Sequence, residues 1–151
     1  MSVVVFLGPS LPRSRARAVL PDAIYLPPAA QMDLMSAVSI YKPTAIALID
    51  GVFERVPSVW HKEILHALEC GVPVFGASSM GALRVAETAA FGARGVGQIF
   101  RMYAEGELLD DDEVALAHAG EEFGFRPLSE PMVNVRATLA AALALGQIDR
   151  D

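Results

Sequence analysis

The chain has 151 residues, 53% apolar and 20% charged, with a mean hydropathy of +0.38. That is one domain's length, able to bury a core and too apolar to be disordered. Twelve Lys and Arg against eighteen Asp and Glu give a net charge of −6, which argues against nucleic acid or an anionic membrane as partner, since both need a cationic footprint.

Val3 to Gly8 is a continuous apolar run stopped by Gly8-Pro9-Ser10, the pattern of a buried strand ending in a turn. A short helix through Arg15 and Val19 follows, then a second strand from Ala23 to Leu26, closed by Pro27-Pro28. Asp33 is placed to cap a helix through Leu34, Val38 and Tyr41. Thr44 to Ile49 reads as a third buried strand, ending in Asp50-Gly51. Pro57 or Ser58 opens a helix whose stripe is Val59, Trp60, Ile64, Leu65 and Leu68, with Gly71 as its stop.

Val72 to Ala77 is the fourth strand, followed at once by Ser78-Ser79-Met80-Gly81 and a helix through Leu83, Val85 and Glu87. A further helix spans Val96 to Tyr103. After it come an acidic turn at Asp110-Asp111-Asp112-Glu113, a strand from Val114 to His118 and a last helix from Ser129 to Leu145. Four buried strands alternating with helices predict one α/β domain over residues 1–151. Its sheet is expected to be mostly parallel, with four to five strands and helices on both faces, Rossmann-like or a variant. No apolar run nears the ~18 residues of a membrane span. The single cysteine, Cys70, excludes an internal disulfide framework and a Cys-clustered metal site. Met1 runs straight into a strand pattern with no cationic segment before it, so a cytoplasmic location is expected.

In such a sheet, ligands gather at the carboxyl ends of the strands. The residues delivered there are Gly8, Pro9 and Ser10; Asp50 and Gly51; Ser78 and Ser79; and His61, Lys62 and Glu63 in the first turns of the following helix. Ala77-Ser78-Ser79-Met80-Gly81 approaches the small-x-Ser-x-Gly pattern of a nucleophile elbow, with Met80 and Gly81 amides at the new helix N-terminus able to hold an oxyanion. A serine there also suits plain helix capping. His61 and Lys62 are the candidate bases, since a lysine shielded from water is more readily neutral; a solvated surface charge is the alternative for Lys62. Asp50 either orients a base or ligand or caps its own turn. The Asp110–Glu113 run could hold a divalent cation, but an acidic solvated turn accounts for it as well. Gly92, Gly95 and Gly97 do not spell a dinucleotide fingerprint and no phosphate loop is present.

Several motifs resemble the TfuA-like core domain in collinear order. They are Phe6-Leu-Gly-Pro-Ser10, Pro27-Pro28-Ala29, Ile49-Asp-Gly-Val-Phe53 and Val59-Trp-His-Lys-Glu-Ile-Leu65, then Gly76-Ala-Ser-Ser-Met-Gly-Ala-Leu-Arg84, Asp110-Asp-Asp-Glu-Val-Ala115 and the segment with Ser129, Val133, Asn134 and Arg136. The resemblance implies a hydrolase working beside a YcaO enzyme in peptide thioamidation, a post-translational modification of the kind found in RiPP biosynthesis. YcaO activates the peptide amide with ATP. The TfuA-like protein hydrolyses a thiocarboxylated ThiS-like sulfur-carrier protein, releasing sulfide, and helps YcaO engage its peptide substrate. It implies a Ser-Lys pair, here Ser79 and Lys62, with no metal or organic cofactor. Ser78, Gly8, Pro9, Ser10, Asp50, Gly51, His61, Met80 and Gly81 are then the supporting residues. The walls of a groove for the carrier's tail are expected from the Gly8 to Pro12 loop and the Phe53 to Trp60 segment. The alternative is a non-catalytic adaptor that binds and activates YcaO, in which Ser79 is only a cap.

Overall fold

The computed structural model describes residues 2–52 and 56–149. Among the described residues there are five strands, four of them short apolar runs, β1 (Val3–Phe6), β2 (Ile24–Leu26), β3 (Ala45–Leu48) and β4 (Val74–Ala77), and a fifth at the edge, β5 (Arg94–Val96). They lie in one sheet in the order β2-β1-β3-β4-β5, and every neighbouring pair is parallel. This is a Rossmann-like α/β arrangement in its 2-1-3-4-5 variant, whose topological switch point falls between β1 and β3. Among the described residues six α-helices connect and cover it: α1 (Arg13–Val19), α2 (Asp33–Tyr41), α3 (His61–Glu69), α4 (Ser79–Thr88), α5 (Gln98–Ala104) and α6 (Met132–Ala144).

Successive side chains of a strand face opposite sides of the sheet, and β1 shows what each side meets. Val4 and Phe6 join the main core with Leu34 and Ala37 of α2, Ile64 and Ala67 of α3, and Val85 of α4. Val5 and Leu7 turn the other way, against Tyr25 and Ala16 of α1. Helices therefore cover both faces, but unequally. On the α1 side of the sheet, Ala47 and Phe75 are only half-buried, and Arg94 lies exposed with its guanidinium 5.7 Å from the Phe75 ring centroid. A separate cluster of Met80, Leu83, Leu108, Val114 and Val133 ties α4 to the start of α6.

Three boundaries depart from the sequence reading, each for a local reason. The helix expected from Pro57 or Ser58 starts at His61, because Ser58 bridges Ala30 and the Pro57 carbonyl accepts from Gln31 N–H at 2.9 Å. Glu63 then reaches back to Trp60 N–H at 3.0 Å. This is one half of a capping box, which tryptophan, having no acceptor, cannot complete. Asp33 is the first helical residue rather than the cap, and its carboxylate accepts from Ala30 N–H. The last helix starts at Met132 after Pro131, and Ser129 Oγ instead accepts from Ala117 N–H at 2.9 Å.

Two elements are corrections. No strand runs from Val114 to His118. Asp111–Val114 is a 3₁₀ turn, and His118 forms a single antiparallel bridge with Pro127. Conversely, Arg94–Val96, partly assigned to a helix from Val96, is the edge strand β5, and α5 begins after Gly97.

Candidate functional site

The carboxyl ends of β1, β3 and β4 meet around Asp50, which is 1% exposed. Asp50 Oδ2 accepts from Gly8 N–H at 2.8 Å and from Ser10 N–H at 3.2 Å, and Oδ1 accepts from the Ser10 hydroxyl at 2.7 Å. The Ser78 hydroxyl in turn donates to Ser10 Oγ at 3.0 Å. One chain of hydrogen bonds thus joins three strand ends and runs from a buried carboxylate out to a hydroxyl in a cleft. Burial pushes the Asp50 carboxyl above its ordinary value, against the opposing pull of its hydrogen bonds to Ser10 and Gly8 and of the nearby His118.

Glycine lets these ends approach. Gly81 N–H donates to Ile49 O at 3.2 Å, and a Cβ on Gly81 would sit 1.9 Å from Leu48 O. The first turn of α4 therefore lies directly on the β3 backbone, which no side chain larger than hydrogen permits. The turn into it is strained. Ser78 holds φ 59 and ψ −170, a region nearly reserved for glycine, and costs about 1–3 kcal/mol there. It precedes α4 without making a side-chain cap hydrogen bond. Ser79 is the first residue of α4, with no positive φ. Ala82 N–H donates to Ser78 O and Gly81 N–H to Ile49 O, so among the described residues the Ser79 and Met80 amides have no backbone acceptor.

The cleft has a volume of about 290 Å³. Pro9, Ser10, Ser78 and Ser79 line it together with Pro127, Glu130, Pro131 and Asn134. Glu130 accepts from the Asn134 side chain, and Ile99, Val114, Leu116 and Val133 supply the apolar remainder. The sequence reading missed Glu130 and the two prolines. The available signal was Pro127 and Pro131 bracketing the segment that leads into the last helix.

The structure brings Gly8, Pro9, Ser10, Asp50, Ser78 and Ser79 together, with Gly51 packed against Met80 at the same edge. It does not bring His61 or Lys62 to the cleft lining. His61 is exposed and pairs with Glu87 at 2.8 Å. Arg84 Nε donates to Val59 O at 2.9 Å, so the start of α3 sits beside the later turns of α4. Lys62, next in the chain, is exposed. Phe53, expected in a groove wall, lies outside the described residues. The Asp110–Glu113 run is not a ligand cluster. Glu113 pairs with Arg136 at 2.9 Å, and Tyr103 OH donates to Asp110 O at 2.8 Å. Burial, reinforced by this acidic run, pushes Tyr103 up to about 12. Among the described residues no three His, Cys, Asp or Glu come together as metal ligands.

The family model described as TfuA-like protein matches residues 50–151, about two thirds of the chain. The chain belongs to the TfuA-like family. In this TfuA-like protein the match begins at Asp50 and takes in Lys62 and both serines, while Gly8 to Ser10 precede it. None of the curated proteins is similar enough to match. Among the described residues, no helix is long and apolar enough to cross a membrane.

Proposed function

We propose that this TfuA-like protein hydrolyses the C-terminal thiocarboxylate of a ThiS-like sulfur-carrier protein and so delivers sulfide for YcaO-dependent peptide thioamidation. The observation that carries the hydrolase reading is the backbone of Ser78. A serine that only capped a helix would sit in an extended conformation with its oxygen on a first-turn amide. Ser78 instead occupies a strained left-handed conformation and turns its hydroxyl into the cleft toward Ser10. Strain of this kind at a strand-to-helix turn is how a nucleophile is held clear of its own helix. The nucleophile in this proposal is therefore Ser78 rather than Ser79.

The chemistry is acyl transfer. Ser78 Oγ attacks the thiocarboxylate carbon, and the free Ser79 and Met80 amides, at the positive end of α4, hold the charge that builds on oxygen. The C–S bond breaks and hydrosulfide leaves, taking the proton that Ser78 gave up. Water then cleaves the acyl-serine ester: its oxygen joins the acyl carbon as the carrier carboxylate, one proton returns to Ser78 and the other passes to solvent. A tail ending in small residues suits a cleft walled by Pro9, Pro127 and Pro131. Lys62, the base implied by family resemblance, lies outside the cleft lining, which gives its substitution diagnostic value.

Incubating a thiocarboxylated carrier with the protein and following intact mass tests the function. Exchange of sulfur for oxygen by the wild type and not by Ser78→Ala supports the hydrolase. Equal exchange by both removes Ser78 from the chemistry.

Engagement of YcaO as an adaptor has its own supporting observation. The second half of α6, Leu139 to Ala144, is wholly apolar, yet Val133 is the helix's one buried residue, with Leu139 51% exposed. A helix apolar on all sides is ordinarily covered. Binding YcaO there is compatible with hydrolysis in the cleft. Substituting Leu139 and Leu143 by Glu is expected to weaken YcaO binding in a pull-down while sulfide release persists; undiminished binding rejects this surface.

A further inference from the structure

We propose that Ser10 and Asp50 form the proton relay of Ser78, so that the base of this site is a buried aspartate acting through a second serine. The inference rests on the reading of Ser78 as nucleophile and assigns the group that activates it. The hydrogen bonds already run in the required direction. Ser78 Oγ–H donates to Ser10 Oγ at 3.0 Å, and Ser10 Oγ–H donates to Asp50 Oδ1 at 2.7 Å. On attack, the Ser78 proton passes to Ser10 Oγ as the Ser10 proton passes to Oδ1, and the Ser78 oxygen forms its bond to the acyl carbon. When the C–S bond breaks, the proton returns along the same path and leaves with sulfur as hydrosulfide. No metal, oxidant or further co-reactant enters the balance.

Geometry also says why an aspartate suits this role. A carboxylate has four acceptor positions. Two backbone amides, Gly8 N–H and Ser10 N–H, converge on Oδ2 and hold the group still, leaving Oδ1 with the Ser10 hydroxyl. Because Asp50 is 1% exposed, its charged form is less comfortable than in water, which strengthens it as a base. The loop after β1 brings two amides and the Ser10 hydroxyl to the carboxylate, and Ala29 N–H donates to the Asp50 backbone carbonyl at 2.9 Å. Among the described residues, the titratable group whose charge reaches Asp50 is His118, packed edge-on to Phe125 at 5.8 Å. When charged, His118 favours the ionised aspartate. Glu130 also lines the cleft.

Asp50→Asn is a near-isosteric test. An asparagine oxygen still serves the two backbone amides. Its NH2 group, however, faces Ser10 Oγ as a donor, so the hydroxyl chain can no longer carry a proton away from Ser78. Ser10→Ala cuts the chain at an exposed residue and leaves the backbone amides of Gly8 and Ser10 in place. The full chain is assayed in two ways, by sulfide release from a thiocarboxylated carrier and by labelling of Ser78 with a fluorophosphonate probe located by peptide mass. Both variants are expected to lose about 10²–10⁴-fold in labelling and turnover, the usual share of general-base catalysis. Ser10→Thr, which keeps the hydroxyl, is expected to recover most of it.

In the wild type, labelling rises with pH through a carboxyl titration above the ordinary aspartate value of 3.8, and that limb disappears in Asp50→Asn. Full labelling of Ser10→Ala, or an unchanged acid limb in Asp50→Asn, overturns the relay. So does removal of the limb by Lys62→Met instead. A wild type labelled on Ser78 that leaves the carrier untouched overturns the substrate reading while the relay stands. A wild type that is neither labelled nor active overturns both.

Discussion

Among the described residues two carboxylates are buried, and they serve different ends. Glu63 is 0% exposed and accepts from Trp60 N–H at 3.0 Å and Leu34 N–H at 3.2 Å. It ties the first turn of α3 to the first turn of α2, backbone to backbone. Asp50, equally buried, also holds two backbone amides, but its remaining oxygen accepts from a hydroxyl bonded to another in the cleft. Burial alone therefore does not mark a functional acid. What separates the two is whether the hydrogen-bond chain ends on fixed amides or on a hydrogen that can move.

The largest effect is expected at the outer end of the Asp50 chain. Ser78→Ala should lower thiocarboxylate hydrolysis by about 10³-fold or more, with an unchanged circular dichroism spectrum. At the other carboxylate, Glu63→Ala should destabilise the fold by about 3 kcal/mol in urea titration, since two buried amides lose their acceptor. The pH profile of any surviving activity should keep its shape. If that profile shifts, Glu63 is not the inert staple described here. Ser78→Gly should be inactive yet more stable than wild type by about 1 kcal/mol, because glycine adopts the Ser78 backbone without strain.

A subtler test uses pH. The folded state raises the Asp50 carboxyl, mainly by burial, so it holds that proton more tightly than the unfolded chain does. This contribution is fully present below the ordinary value of 3.8 and is lost as pH rises through the raised folded value. Asp50→Asn, neutral throughout, should therefore gain stability relative to wild type across that window in urea melts at stepped pH. A gap that stays constant would mean the carboxyl is not raised. The smallest effect is expected at His61→Ala, within about 0.5 kcal/mol of wild type, since its pair with Glu87 is exposed.

Much of the fold was legible because its inner strands are continuous apolar runs. Val3–Phe6, Ala45–Leu48 and Val74–Ala77 lie within the segments expected, and Gly71, expected to stop α3, follows it with φ +76. β5 was not legible, because Arg94-Gly95-Val96 is a short edge strand with two exposed residues and carries no buried run. Val114 to His118 carried strand-like apolar residues, but its backbone turns through a 3₁₀ segment. In the site, the contributing strand ends followed from topology alone. The bond from Ser78 to Ser10 did not, since it depends on side-chain torsions and on the register of three strands. Lys62 shows another limit. Topology sends the start of α3 to the carboxyl edge, yet Lys62 does not line the cleft. Its neighbour His61 meets Glu87, eight residues beyond Ser79 on α4, or about 12 Å along a helix axis.

The hydroxyl chain at Asp50 also bears on how the protein acquires activity. Ser78 and Ser10 are 68 positions apart, and Ser10 and Asp50 are 40 apart. Every strand pairing that aligns them is a parallel, non-local one, the kind that closes late because loop entropy is spent before contacts form. A fragment that lacks β1, β3 or β4 cannot hold all three residues in register. During refolding, catalytic competence should therefore lag behind helix content and arrive with the final docking of β4 on β3.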